Sequence, residues 1–213
     1  MDYVTETNLY EYIRKNKTAK LYFGTGNTYV DGFFSAAPDS KSEKINKMSI
    51  SDMKNIGKET FDYILAEYIH ETETDYDCIL FTECARVLKK GGVLRVVGHN
   101  LEYYLSLIEN ADFAKEYIQW YLYKYENKLL SDLADFNYNS KATIVLQSMY
   151  QRFGRLYNEE LLHDVLVRYG FEWLGKQRFR KSRYMALDGM DTCDKGVPEK
   201  YKIFDTLVIE VSK

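Results

Sequence analysis

Residues 61–102, FDYILAEYIHETETDYDCILFTECARVLKKGGVLRVVGHNLE, decide the fold. FDYILA, 61–66, is a short apolar run with β-branched and aromatic members, which predicts a buried strand. Thr74 followed by Asp77 resembles a capping box, opening a helix whose Tyr76, Leu80, Cys84 and Val87 keep helical spacing. Gly91-Gly92 is expected to stop that helix. Val93–Val97 then predicts a second buried strand, and Asn100 a cap for the helix LEYYLSLIE. Strand, helix and strand in this order predict a parallel sheet with crossover helices.

Toward the N-terminus, Asn8 predicts the cap of a short helix NLYEYIRKN. A strand at Lys20–Phe23 runs into the turn Gly24-Thr25-Gly26-Asn27, and Gly32 precedes a second strand over Phe33–Ala37 that ends at Pro38-Asp39. A weak strand is expected at Lys47–Ile50. Toward the C-terminus, 111–150 reads as an aromatic helical insertion covering one end of the sheet. Asn158 is expected to cap NEELLHDVLVRY, with Leu161, Leu162, Val165, Leu166 and Tyr169 on one face and Gly170 at its end. Two strands, FEWLGKQRF and TLVIEVS, follow, separated by a loop containing GMDTCDKGVP. The expected fold is α/β, a Rossmann-like seven-stranded, mostly parallel sheet formed by 1–213 as one domain. Its last strand pair is antiparallel, with Asp205–Val211 inserted beside the fifth strand and Lys20–Phe23 next to Phe61–Ala66.

The 213 residues are 46% apolar and carry a net charge of −3, which disfavours both a disordered chain and a nucleic-acid partner. One basic cluster, Lys176, Arg178, Arg180, Lys181 and Arg183, reads as a solvated strand edge. Cys78, Cys84 and Cys193 show no metal-ligand spacing, and Cys84 falls on the apolar helix face. No stretch reads as a membrane span or apolar leader, so a cytoplasmic protein is expected. The 20 Tyr, 11 Phe and 2 Trp exceed ordinary usage; core packing and the lining of a ligand pocket both account for them.

In an open parallel sheet, ligands bind outside the carboxyl ends of the strands. Those ends carry Gly24-Thr25-Gly26-Asn27, then Ala66-Glu67-Tyr68, then Gly98-His99-Asn100. Small residues after the first strand admit a ligand close to the backbone, and free amides there suit a carboxylate.

The order of these pieces resembles the class I S-adenosylmethionine (SAM)-dependent methyltransferases, closest to a short type found among cell-surface polysaccharide genes. LYFGTGNTYVDGFFSAAPD is similar to that family's glycine loop and second strand. FDYILAEYIHE resembles its fourth strand with E-H-x-x-E-H. ECARVLKKGGVLRVVGHNLE resembles its R-x-L-K-P-G-G, fifth strand and P-D-L-E, and LYNEELLHDVLVRYGFE its late helix ending in A-G-F. The resemblance implies that Gly24, Thr25, Gly26 and Asn27 contact the methionine part of SAM, Asp52 and Met53 the adenine, and that Glu67 and Tyr68 border the methyl-donor pocket. The acidic residue that holds the ribose in the family is Ala37 here, and Asp39 is its candidate replacement. Tyr68 and Thr72 stand in place of the family histidines, while Glu67 and Glu71 keep register. Lys90 stands where proline is usual.

Methyl transfer to a hydroxyl needs in-line alignment and a base for the proton. His99 is the candidate base, with a structural role at the start of the next helix as the alternative, and His70 is the second candidate. His163 lies off its helix's apolar face and is expected at the surface. Asn100, Gln151, Arg152, Tyr157 and Ser182 are candidate acceptor contacts, and no metal ligand set is expected. The leading reading is an O-methyltransferase acting on a sugar, glycan or other small polar acceptor. Its rival is a degenerate methyltransferase fold serving as a binding or regulatory subunit. A nicotinamide-dependent oxidoreductase is disfavoured, because Tyr29 stands at the third glycine of G-x-G-x-x-G.

Overall fold

A computed structural model describes residues 1–24, 28–68, 76–109, 112–126, 133–153, 156–192 and 196–213. The strands are β1 (Lys20–Phe23), β2 (Phe34–Ala37), β3 (Asn46–Lys47), β4 (Phe61–Glu67), β5 (Leu88–His99), β6 (Glu172–Gln177) and β7 (Thr206–Ser212). β1, β2, β4 and β7 are buried along almost their whole length and β5 through its centre, whereas β3 and β6 lie at the two sheet edges and bury no residue fully. Among the described residues they make a seven-stranded sheet in the order β3-β2-β1-β4-β5-β7-β6. The pairs from β3 to β5 are parallel, with Leu21 opposite Ile64 and Leu65 opposite Arg95. β7 runs antiparallel to both neighbours, Val97 facing Val208 and Trp173 facing Val211. The expected topology is the observed one, including β1 beside β4 and β7 beside β5.

The helix α2 (Tyr76–Val87) ends four residues before the glycines expected to stop it. Gly91 and Gly92 lie instead in an irregularity of β5, where the register against β4 jumps from Phe61–Leu88 to Tyr63–Val93. Gly91 is left-handed, with φ 74° and open space where a Cβ would stand. A Cβ at Gly92 would come within 2.9 Å of the Asp62 and Lys89 carbonyl oxygens. Gly92→Ala is therefore expected to cost about 1–3 kcal/mol by crowding the backbone, against about 1 kcal/mol for Gly91→Ala, which strains φ alone. Urea unfolding of the two variants checks this; equal losses would refute the crowding.

Other boundaries also moved. α1 (Tyr3–Lys15) begins before Asn8, because Asp2 caps it by accepting the Thr5 amide at 2.8 Å. The Asn8 side chain instead donates to Asn46 Oδ1 at 2.9 Å. The weak strand at 47–50 is the two-residue β3, followed by a 3₁₀ turn, Ile50–Asn55. Asn100 caps α3 (Leu101–Ser106) and Asn158 caps α6 (Glu159–Arg168), as expected. Leu162 and Leu166 of α6 are buried, but Leu161 is 46% exposed and leaves the apolar face. The loop before β7 holds an unforeseen helix, α7 (Glu199–Asp205), opened by Pro198. The capping residue Thr74 lies outside the described residues.

One sheet face packs against α1, α2 and α6 through Leu9, Leu80, Phe81, Cys84, Leu162 and Leu166. The other face is covered differently. Parallel neighbours usually need a crossover of about a dozen residues or more, yet 24–33 joins β1 to β2 with no helix among its described residues. Chain from the β6–α7 connection fills the space, and Leu187, Tyr184 and Met190 pack on Tyr22, Leu65, Val93 and Val97. A third cluster gathers much of the aromatic excess. Tyr117, Tyr121 and Leu122 of α4 (Asp112–Glu126) and Val145 and Met149 of α5 (Tyr138–Phe153) pack on Tyr103 and Tyr104 of α3 and Tyr201 of α7. This pair of helices thus stands at the carboxyl end of β5, where His99 pairs with Thr206.

Candidate functional site at the carboxyl ends of the strands

β1 delivers Gly24 at its end, where the amide donates to the Ala36 carbonyl at 3.2 Å. A side chain there would collide with the Tyr22 hydroxyl. Thr25, Gly26 and Asn27 lie outside the described residues. β2 ends on the buried Ala37, and Asp39, two residues on, is exposed. Asp52 does not stand open. Burial alone would raise its carboxyl, but hydrogen bonds from the Met1 ammonium and Ser49 outweigh that and hold it at about 2. Met53 is fully buried in the core that residues of α2 and of the 3₁₀ turn share.

β4 places Glu67 at its end, 1% exposed. Thr192 closes over it, its amide donating to Oε1 at 2.7 Å and its hydroxyl to Oε2. Burial raises the Glu67 carboxyl to about 7 against the pull of the Thr192 hydrogen bonds. Tyr68 takes a left-handed backbone, φ 45°, unusual for a bulky residue. Its amide donates to the Val97 carbonyl at 2.8 Å, its hydroxyl lies 2.9 Å from the Thr206 hydroxyl, and its ring sits 4.8 Å from that of His99. His70, Glu71 and Thr72 lie outside the described residues.

His99 ends β5. The cap of α3 is Asn100, whose Oδ1 accepts the Glu102 amide at 3.1 Å, so capping does not explain His99. Its Nδ1 lies 2.8 Å from the Tyr104 hydroxyl, which donates to Asp205 Oδ2 at 3.3 Å. With the Tyr104 hydroxyl donating its hydrogen bond to Asp205, its oxygen is open to a donor from His99 Nδ1–H, the tautomer that carries the His99 lone pair on Nε2. Asp205 is buried, and burial raises it to about 7 against hydrogen bonds from Thr206 and Tyr104.

Glu67 and Asp205 make stability depend on pH with a definite sign. Both hold their protons more tightly folded than unfolded, from ordinary values of 4.5 and 3.8 up to about 7. Their contribution is fully present below about pH 4 and is lost as pH rises to about 7. From pH 5 to 8 each should withdraw on the order of 2–3 kcal/mol. Urea midpoints for the wild type, Glu67→Gln and Asp205→Asn check this; each variant should show a flatter profile, and parallel profiles would contradict the assignment.

The remaining candidates divide. Asn100 and Tyr157 form a short parallel bridge, and the Leu101 amide donates to the Tyr157 carbonyl at 2.9 Å, which brings both to the end of β5. Gln151 and Arg152 are exposed on α5, with the Arg152 guanidinium 4.5 Å over the Tyr125 ring. Ser182 spends its hydroxyl locally, accepting from the Tyr184 amide at 3.0 Å. His163 is half-exposed, 4.9 Å from the Trp173 ring.

Sequence reading missed Thr192, Asp205 and the buried Arg95. The Arg95 guanidinium reaches Asp191 at 2.6 and 2.5 Å and Glu210 at 2.7 Å, all three side chains being inaccessible. The signal was present as opposite charges at the middle of two apolar strands, VLRVV and TLVIEVS. No metal-binding group of His, Cys, Asp or Glu occurs among the described residues, and no helix among them is long and apolar enough to cross a membrane.

No protein-family model matches the chain, and no curated protein sequence matches it. Solved structures do. A SAM-dependent methyltransferase of Archaeoglobus fulgidus is 11% identical, with 99% of this chain and 93% of that one covered and a TM-score of 0.52. A SAM-dependent methyltransferase of Thermotoga maritima is 19% identical over 99% and 89%, with a TM-score of 0.48. The 16S rRNA (adenine(1408)-N(1))-methyltransferase of Catenulisporales acidiphilia is 10% identical over 100% and 94%, with a TM-score of 0.47. With its strand order and antiparallel β7, the chain has the Rossmann-like fold of a SAM-dependent methyltransferase.

Proposed function

We propose that the chain is a SAM-dependent methyltransferase that transfers a methyl group to a hydroxyl of a sugar, glycan or other small polar acceptor. The observation that carries this is the hydrogen-bonded chain from His99 through Tyr104 to the buried Asp205, at a strand end where this fold places chemistry. The residues present fit the cofactor in kind: a glycine at the end of β1, an exposed Asp39 past β2, and at Glu67 a buried carboxylate that already accepts N–H and O–H donors. When bound, SAM supplies a methyl on a sulfonium that departs as a neutral thioether. Gly24 to Asn27 would hold its methionine part, Asp39 the ribose hydroxyls, and Glu67 and Tyr68 the wall of the donor pocket. His99 Nε2 would take the proton of the acceptor hydroxyl. α4 and α5 would act as a lid that excludes water.

A second reading, a degenerate fold that binds a partner, is favoured by Ala37 at the ribose position and by Thr192 closed over Glu67. A calorimetric titration with SAM and with its demethylated product separates the two. A one-site isotherm, abolished by Gly26→Val with an unchanged melting temperature, is expected for the enzyme; no heat of binding would leave the second reading.

A further inference from the structure

A cavity of about 460 Å³ opens between residues 28–31 and 189–192, within the size range of small-molecule sites. Its walls include Thr28, Tyr29, Asp31, Arg180, Thr192 and Lys202. Two of these are cations without an ion pair among the described residues. Arg180 is held in a left-handed backbone, φ 57°, which a long side chain rarely adopts. Its amide donates to Asp191 Oδ2 at 2.6 Å and its Nε to the Asp191 carbonyl at 3.1 Å. Asp191 is itself clamped to Arg95 in the core, so its charge is answered there and does not offset Arg180. The core ion cluster thus pins an arginine, in a strained backbone conformation, on a cavity wall. Lys202 lies on α7, one turn before Asp205. The carboxylate on the opposite side, Asp31, is exposed and accepts from the Tyr29 hydroxyl at 3.4 Å.

We propose that this cavity holds the anionic group of the acceptor, a carboxylate or phosphate, between Arg180 and Lys202. That the anion belongs to the acceptor rests on the methyltransferase reading; the anion site itself does not. The cavity borders both halves of the reacting region, since Thr192 in its wall binds Glu67 at the end of β4 and the helix of Lys202 leads to Asp205 and His99. A hydroxylated acid anchored there by its charge would have its neutral part left for the residues that border the cavity, Thr192 and the chain leading to Asp205. Of the basic cluster at 176–183, Arg180 gains a ligand role here, while Lys176 pairs with Glu159 at 3.3 Å.

Titration calorimetry with glucuronic acid, glucose 6-phosphate and glucose tests the proposal, and the first two probes tell a carboxylate site from a phosphate site. At least one acid should bind about tenfold more tightly than glucose, as expected for a charge-assisted contact. Lys202→Gln should remove that advantage and leave both glucose binding and the SAM isotherm unchanged; Arg180→Gln should do the same. Added salt should weaken the acid alone. Equal affinity for acids and glucose, no binding of either acid, or acid binding retained in the double variant would overturn the proposal. A chain that binds an acid in this Lys202-dependent way but ignores SAM keeps the anion site and loses the methyltransferase reading. A chain that binds SAM but treats acids and glucose alike does the reverse.

Discussion

Arg95→Met is expected to destabilise the fold by about 3–5 kcal/mol, the cost of stripping the partner from buried charges. The guanidinium makes charged hydrogen bonds to Asp191 and Glu210 and also donates to the Lys181 and Arg178 carbonyls at 3.0 and 3.3 Å. Its loss leaves two inaccessible carboxylates without a counter-charge and frees the loop that covers the face of β1, β4 and β5. Glu210 Oε2 already has no hydrogen-bond partner, so no spare donor replaces Arg95 among the described residues. Two further measurements separate charge from packing. The orphaned carboxylates will favour protonation, so Arg95→Met should recover stability as pH falls, and Arg95→Met/Glu210→Gln should recover part of the loss at neutral pH. A loss of under about 1 kcal/mol by urea unfolding would show that the cluster contributes nothing net.

His99→Ala is expected to lower turnover by roughly 10²–10⁴-fold while SAM affinity stays near the wild-type value. The residue is held at the end of β5 by Tyr104, away from Gly24 and Asp39, where the donor is proposed to lie. Residual activity should climb with pH as the acceptor hydroxyl ionises unaided. Asp205→Asn should lower turnover less, because it alters the far end of the chain, which orients the ring without touching the acceptor. Normal turnover in His99→Ala, with SAM still bound, would retire His99 as the base.

By itself the sequence determined the sheet. FDYILA and VLRVV are short and apolar, and the helix between them carries apolar residues at helical spacing, so burial left one arrangement for the strand–helix–strand unit. The late pair FEWLGKQRF and TLVIEVS added the antiparallel edge. Asn100 and Asn158 were legible as caps because capping is a local bond between a side chain and an amide two or three residues away. Local chemistry misled where two solutions exist: Asp2 outcompeted Asn8 for α1, and Gly91-Gly92 serves a bulge in β5 instead of ending α2.

Tertiary structure alone decided the site. Thr192 meets Glu67, Asp205 meets Tyr104, and Asp191 and Glu210 meet Arg95 across separations of roughly a hundred residues. No period or spacing records such contacts, since they depend on how the chain over 178–192 folds back across a sheet face that no crossover helix covers among the described residues. The titration of Glu67 and Asp205 near neutral pH follows from the same closure. Two carboxylates at strand ends would be ordinary in water, and it is the loop and the helices packed over them that remove the water and raise them.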